Sequence, residues 1–188
     1  SFISPHQSFP QLKLMILAEI ENCKNELPSG IWLKCNSLVD HRLIGLLYEA
    51  SQAGVPIEIM ARGVCCLRPG VAGLSETITV RSIIGRFLEH GRIYVFANGG
   101  EFLSDKNIVI ISSADLMPRN LRRRVECFMR LENPTIRKQV LHQIMVALLR
   151  DEKNSWYLKP DGSYVHPQTD ETSFSCHEYF MSNPSLSG

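Results

Sequence analysis

The stretch Ile31-Trp32-Leu33-Lys34-Cys35, followed by Ser37-Leu38-Val39-Asp40 and later by Pro56-Ile57-Glu58-Ile59-Met60-Ala61, decides the fold. The first run is apolar and short enough to be a strand. Ser37 to Asp40 resembles a capping box and opens a helix, with Leu43, Leu46, Leu47 and Ala50 on one face. Gly54 closes that helix, and Pro56 to Ala61 reads as the next strand. Strand, helix and strand within about 30 residues make a parallel pair joined by a right-handed crossover.

Upstream, Phe9, Leu12, Ile16, Ile20, Cys23 and Leu27 step by three and four, which predicts an amphipathic helix that Pro28-Ser29-Gly30 stops. Downstream, Arg62 to Ser75 is rich in Gly and Pro and lacks periodicity, so it reads as a loop leaving a strand end. Ile78–Ile83, Arg92–Ala97 and Asn107–Ile111 are three further strands, and Asn98-Gly99-Gly100 suggests a hairpin between the last two. Val125, Cys127 and Met129 alternate with Glu126, Phe128 and Arg130 in another strand. Asn133-Pro134 starts a helix whose buried face is Ile136, Val140, Ile144 and Leu148. Pro160-Asp161-Gly162 makes a turn flanked by Trp156 and Tyr164. The expectation is an α/β domain over residues 1–165, a mixed β-sheet with flanking helices, and a loosely ordered tail over 166–188 rich in Ser, Thr, Asn and Pro.

With 188 residues, 44% apolar and 21% charged, the chain can bury a real core, and wholesale disorder is excluded. Charges interrupt every apolar run before a bilayer span is reached. The start, Ser1-Phe2-Ile3-Ser4-Pro5, has no signal-peptide pattern and no initiator Met, which suggests a chain cut from something longer. Six cysteines without a C-x-x-C pair fit a reducing, cytoplasmic setting.

The net charge of +1 conceals an asymmetry. Residues 62–124 carry +5 and the remainder −4, and nine of the ten central cations are Arg. Arginine grips phosphate or carboxylate at two points, so the bias suits an anionic partner, with ordinary ion pairs as the alternative. No Walker loop, G-x-G-x-x-G, G-x-S-x-G or H-E-x-x-H is present. What remains is a set of polar groups at strand ends: Arg62, Arg68, Glu89-His90, Arg92, Ser112-Ser113-Ala114-Asp115 and Arg119-Asn120-Leu121-Arg122-Arg123-Arg124. His90 stands out, because histidine can both donate and accept a proton near neutral pH. The competing reading is that it merely ends a helix or caps a strand.

Val80-Arg81-Ser82-Ile83-Ile84-Gly85-Arg86-Phe87-Leu88-Glu89-His90-Gly91-Arg92-Ile93-Tyr94 resembles the block around the second histidine of the type-one polyphosphate kinases. Ile111-Ser112-Ser113-Ala114-Asp115-Leu116-Met117-Pro118-Arg119-Asn120-Leu121-Arg122-Arg123-Arg124-Val125-Glu126 is similar to a second block. Asn36 to Asp40, Tyr48 to Val55, Arg62 to Gly70 and Pro160-Asp161-Gly162-Ser163-Tyr164 also match, so the likeness spans essentially the whole chain. The resemblance implies a phospholipase-D-like domain, the second of two in the intact enzyme, with the active site between them. The H-L-G-T-G-N-Y segment that carries the phosphorylated histidine of the first domain is absent here.

By this resemblance the activity is reversible transfer of the ATP γ-phosphate to polyphosphate through a phosphohistidine on the preceding domain. Arg62 would hold nucleotide phosphate oxygens, and His90 would contact the transferring group and act as proton donor. Arg119, Arg122 and Arg68 would line the polyphosphate path, although three arginines at 122–124 cannot all face one groove from a strand. Ser112, Ser113 and Asp115 either orient His90 or simply form a turn. Glu89 reads as a surface residue or an Arg partner. Mg²⁺ is expected with ATP, with ligands outside this chain. The implied partners are ATP or ADP, polyphosphate and the preceding domains of the same polypeptide, in a cytoplasmic homo-oligomer whose membrane association stays open, and no nucleic acid.

The broader phospholipase-D pattern H-x-K-x-x-x-x-D would need Lys at 92 and Asp at 97, where the chain has Arg92 and Ala97. That departure speaks against the first alternative, phosphodiester cleavage. The second, a non-enzymatic nucleic-acid-binding domain using residues 119–124, lacks interleaved aromatics for stacking.

Overall fold

Ile31, Leu33 and Cys35 are buried on one side of their strand, while Trp32 and Lys34 point to the other, as the two-residue period of a strand requires. The computed structural model describes residues 1–183 and places that strand near the middle of a nine-stranded sheet. In chain order the elements are β1 (Phe2–Ile3), α1 (Ser8–Lys24), β2 (Ile31–Cys35), α2 (His41–Gln52), β3 (Ile57–Ala61), β4 (Ile78–Ile83), β5 (Ile93–Phe96), β6 (Ile108–Ser112), α3 (Pro118–Arg122), β7 (Cys127–Arg130), α4 (Pro134–Gln139), α5 (Val146–Leu149), β8 (Ser155–Leu158), β9 (Tyr164–Val165) and α6 (Cys176–Ser182). A π-helical stretch, Val140–Met145, joins α4 to α5.

The sheet order is β1-β7-β6-β5-β2-β3-β4-β8-β9. Only β2–β3 and β3–β4 pair in parallel, and every other neighbouring pair is antiparallel. The mixed α/β sheet and the β2–α2–β3 crossover expected from sequence are both present. One core layer joins Leu12 and Ile16 of α1, Leu43 and Leu47 of α2, and Leu33, Ile59, Tyr94 and Phe128 from the sheet. The other joins Met60, Val95 and Val109 to Leu141, Met145, Leu148 and Cys176. Central strands buried on both faces read as continuous apolar runs, which makes them legible in the sequence.

Four local expectations change. Ile136, expected on the buried face of the helix begun at Asn133-Pro134, is 47% exposed, and a π-helical stretch interrupts that helix after Gln139. Helix α2 begins at His41, and its N-cap is Asp40, whose Oδ1 accepts from the backbone N–H groups of Arg42 and Leu43. Ser37 instead remains in the strand-end segment, where its carbonyl accepts from Leu116 N at 3.1 Å. Helix α1 ends at Lys24, ahead of Leu27 and Pro28. Finally, residues 166–183 are not a loose tail. They contain α6, with Cys176 and His177 buried, fastened because Asp151 Oδ2 accepts from Cys176 N at 2.8 Å and Asn154 Nδ2 donates to Ser175 Oγ at 3.0 Å. The rest of the expected tail, 184–188, lies outside the described residues.

Burial pushes the Asp40 and Asp151 carboxyls up, but their hydrogen bonds outweigh it and hold both below the ordinary carboxylate value. For Asp40 the donors are the Arg42 side chain and the cap N–H groups. For Asp151 they are Asn154 and Cys176. Glu19 runs the other way: desolvation raises it despite N–H groups from Asn98 and Gly30. Depressed carboxyls add stability above their unfolded pKa that is lost as pH falls through the folded value.

Asp40→Ala should therefore lower the unfolding free energy in urea by about 1–2 kcal/mol, with Asp40→Asn recovering most of it. An Asp40→Ala chain with unchanged urea midpoint would rule the cap out as a stabilising contact. The urea midpoint of the native chain should stay level from neutral pH and fall below about pH 4, and Asp151→Asn should flatten that acid limb.

Candidate active site

The register of the sheet brings four strand ends together. Strand β5 runs antiparallel to β2 with Lys34 opposite Ile93, so the residues just before β5 lie beyond the C-terminal end of β2. Ile93 is opposite Ile111, which puts the exit of β6 beside Arg92. Strand β3 is parallel to β2, with Cys35 opposite Ala61, so Arg62 leaves the sheet next to Asn36. Backbone hydrogen bonds then clasp the three exits: Gly63 N donates to Asn36 O at 2.7 Å, Leu38 N to Val64 O at 2.9 Å, and Val39 N to Leu116 O at 2.9 Å. Gly63 is required for this approach, since a Cβ there would stand 2.9 Å from both Asn36 O and Ser37 Oγ.

Inside the clasp lies a closed circuit of side chains. The Asp115 carboxylate accepts from Asn36 N at 2.7 Å, Asn36 Nδ2 at 3.0 Å, Ser37 N at 3.3 Å, and Arg92 Nε and Nη2 at 3.4 and 3.2 Å. Burial pushes this carboxyl up, but Arg92 and Asn36 overcome that and keep it below the usual value. With its Nδ2 committed to Asp115, Asn36 turns Oδ1 to accept from Arg62 Nε at 2.7 Å. Arg62 Nη2 lies 3.1 Å from His90 Nδ1, and Arg92 Nη1 lies 3.1 Å from His90 Nε2. The exposed imidazole is thus flanked by two guanidinium groups, each fixed from behind.

A neutral imidazole has one lone pair in its plane, so it accepts from only one of the two arginines. The other guanidinium N–H faces a ring N–H and lacks an acceptor there. An oxygen-rich anion meeting the exposed imidazole would find both the ring N–H and the guanidinium N–H groups available.

Arg62, His90 and Asp115 are therefore brought together, and the other candidates are not. Ser112 Oγ donates to Cys127 O at 2.8 Å and accepts from Ala114 N at 3.0 Å, while Ser113 Oγ donates to Glu126 Oε2. Both serines shape the β6–β7 end, and neither reaches His90. Arg122 sits on α3, paired with Asp40 Oδ2 at 3.6 Å. Arg119, on the same short helix, is exposed and its side chain makes no hydrogen bond or ion pair among the described residues. Arg68 lies against Gly162 in the β8–β9 turn, and its N donates to Tyr48 Oη at 2.9 Å. Glu89 is not an arginine partner: it binds Lys34 Nζ at 3.0 Å and His177 Nε2 at 2.8 Å.

Arg92, already among the strand-end groups of the sequence, joins the site, and Asn36, Lys34 and His177 complete the surroundings beyond the residues expected. Asn36 and Arg92 carry a usable signal, since each borders a predicted strand at the end where Arg62 and His90 lie. His177 carries none, being remote in sequence within the segment expected to be loose.

The geometry has close relatives. Residues 2–176 match the family model described as polyphosphate kinase C-terminal domain 2. A polyphosphate kinase of Erythrobacter litoralis is 55% identical over 170 residues, which is 90% of this chain and 24% of that protein. One from Synechocystis sp. is 46% identical over 180 residues, 95% of this chain and 24% of the relative. The crystal structure of polyphosphate kinase from Porphyromonas gingivalis superimposes with a TM-score of 0.89 at 31% identity, covering 98% of this chain and 28% of that one. NucT from Helicobacter pylori superimposes at 0.50 with 10% identity, a likeness of fold alone. The chain spans about a quarter of the length of the curated relatives it matches. With the family model extending across nearly all the described residues and the sequence identity high over the same span, the chain belongs to the polyphosphate kinase C-terminal domain family.

Proposed function

We propose that this domain forms one wall of a polyphosphate kinase active site, in which the γ-phosphoryl group of ATP passes reversibly to polyphosphate through a phosphohistidine on a preceding domain. The observation that carries the reading is the imidazole of His90 held between Arg62 and Arg92 at an exposed strand-end surface. Phosphoryl transfer needs charge stabilisation and positioning more than covalent work from the protein. Arg62 binds phosphate oxygens of the nucleotide, Arg92 stabilises charge on the moving group, and His90 contacts that group and acts as proton donor. Arg119, Arg122 and Arg68 are at most outlying contacts along the polyphosphate path. Arg122 would first have to share its guanidinium with Asp40.

Exposed apolar side chains support an apposed domain. Val64, Ile84, Leu88 and Val125 stand 61–83% exposed on the segments that carry the site. Exposed apolar side chains on such segments suit burial against another surface of the same polypeptide. The carboxylates here do not suit Mg²⁺. Asp115 is occupied by Arg92 and Asn36, Glu89 by Lys34 and His177, and Glu126 by Ser113 and Asn120. Mg²⁺ accompanying ATP would take its ligands from outside this chain, since among the described residues no three His, Cys, Asp or Glu cluster together. The free thiols, Cys35 and Cys176 among them, suit a reducing, cytoplasmic setting. No helix among the described residues is long and apolar enough to cross a membrane.

In the full-length enzyme, His90→Ala should cut kcat by ~10² or more, as for loss of a proton-transfer group. A rate within twofold of wild type, about 0.4 kcal/mol in barrier height, would remove His90 from the chemistry. Arg62→Ala should raise the KM for ATP while leaving the thermal midpoint of the domain nearly unchanged. The 188-residue chain by itself should bind polyphosphate in a salt-sensitive way and show no turnover. Tighter binding to single-stranded DNA than to polyphosphate of equal charge would favour the nucleic-acid reading instead.

A further inference from the structure

His90 sits at the end of an irregular segment, residues 84–92, that has no regular secondary structure of its own to hold it. Its anchoring comes from below. Glu89 places one carboxylate oxygen 3.0 Å from Lys34 Nζ and the other 2.8 Å from His177 Nε2. Lys34, buried on β2, also donates to Gly91 O at 3.0 Å, so it grips the residues on both sides of His90. His177, on α6 and only 2% exposed, accepts from Phe87 N through Nδ1 at 3.4 Å, and the Phe87 ring meets its edge at 5.3 Å between centroids. With Nδ1 accepting, the ring proton is on Nε2 and is donated to Glu89. The turn lies so close to this histidine that a Cβ at Gly85 would collide with His177 Nδ1 and Asn154 Oδ1. Both sides of the buried imidazole are thus used on the segment that presents His90.

We propose that His177 is a positioning residue for His90: with Lys34 it fixes Glu89, and Glu89 sets the height and rotation of the neighbouring imidazole between Arg62 and Arg92. The kinetic consequence rests on the reading of His90 given above, whereas the geometric claim does not. A partly buried carboxylate paired on both oxygens is costly to displace, so the turn has one favoured position rather than many. Lys34 comes from β2 and His177 from α6, so the two supports reach Glu89 from separate elements. Losing His177 would leave Glu89 attached to Lys34 alone and Phe87 N without its acceptor.

The test has two readouts. In the full-length enzyme, His177→Ala should lower kcat about tenfold or more, since misplacement of a reacting group by an ångström can cost ~10². The KM for ATP should move less than about threefold, because Arg62 is held separately by Asn36. His177→Gln, which can still donate to Glu89, should restore most of the rate, and the shorter His177→Asn, whose amide stops short of Glu89, should not. On a His90→Ala background His177→Ala should cost nothing further, and an equal loss in both backgrounds overturns the proposal. In the 188-residue chain, the ring ¹⁵N signals of His90 should shift with His177→Ala and return with His177→Gln. Signals of His90 that stay in place overturn it independently of catalysis. If His177→Ala does not fold, Glu89→Gln in the same assays separates the same two outcomes. A His90→Ala enzyme with normal kcat would instead defeat the catalytic reading, and the ring signals would still decide the positioning role.

Discussion

One buried carboxylate ties the site to the fold. Asp115 follows β6, yet its acceptors are filled from the exit of β2 by Asn36 and Ser37 and from the entry to β5 by Arg92. A carboxylate this buried is costly unless it is charge-paired and hydrogen-bonded, and here the compensation comes from two other chain segments. Satisfying Asp115 therefore requires the correct order and register of β6, β5 and β2. The same contacts set the planes of Asn36 and Arg92, and those two planes set Arg62 and His90 in turn. Removing the carboxylate would leave Arg92 only its Nη1 contacts to His90, so the functional surface depends on a group that need never touch substrate.

The fold is legible where local chemistry and burial agree. Strands β2, β3 and β5 are buried on both faces and read as largely apolar runs, and Asn133-Pro134 caps a helix as its sequence indicates, Oδ1 accepting from Thr135 N and Ile136 N. The departures come from interactions distant in sequence. Ser37 and Asp40 are both plausible caps, and the choice falls to Asp40 because tertiary hydrogen bonds from Leu116 and to Val64 hold residues 37–39 extended. Strands β8 and β9 are short, and β8 exists because Tyr157, Trp156 and Ser155 pair with the outer edge of β4. The polar composition after Asp151 hides that pairing. Helix α6 is similarly concealed, since its anchors lie outside it in sequence: Asp151, which also binds Asn154 and Ser155, holds Cys176 N, and Glu89 holds His177.

Within the site, legibility follows strand ends. Arg62, His90 and Asp115 each border a strand whose terminus could be placed, so their convergence follows from sheet order. Ser112 and Ser113 border one as well, but small hydroxyls reach only local partners and close the β6–β7 end instead. Arg122 has the look of a ligand for anions because three arginines adjoin. The structure gives it a carboxylate from the α2 cap. Composition cannot separate these outcomes, since the deciding partner, Asp40, lies far away in the chain.

The departures at positions 92 and 97 have a joint physical explanation. Arg92 performs two tasks in one plane: Nε and Nη2 bind Asp115, and Nη1 reaches His90. A lysine ammonium is a single point and could not present that fork to a carboxylate while also touching the imidazole. Ala97 lies past the far end of β5, where its N donates to Gly30 O, and it is 1% exposed. Seven residues of extended chain separate it from His90, roughly 20 Å, so an aspartate at 97 could not orient this imidazole directly. Asp115, from the exit of another strand, bears on His90 instead, and it acts through the arginine at 92. Lysine at 92 together with aspartate at 97 would thus take away the carboxylate's route to His90 and put a second acid where it cannot reach, so the two departures make sense as parts of one site.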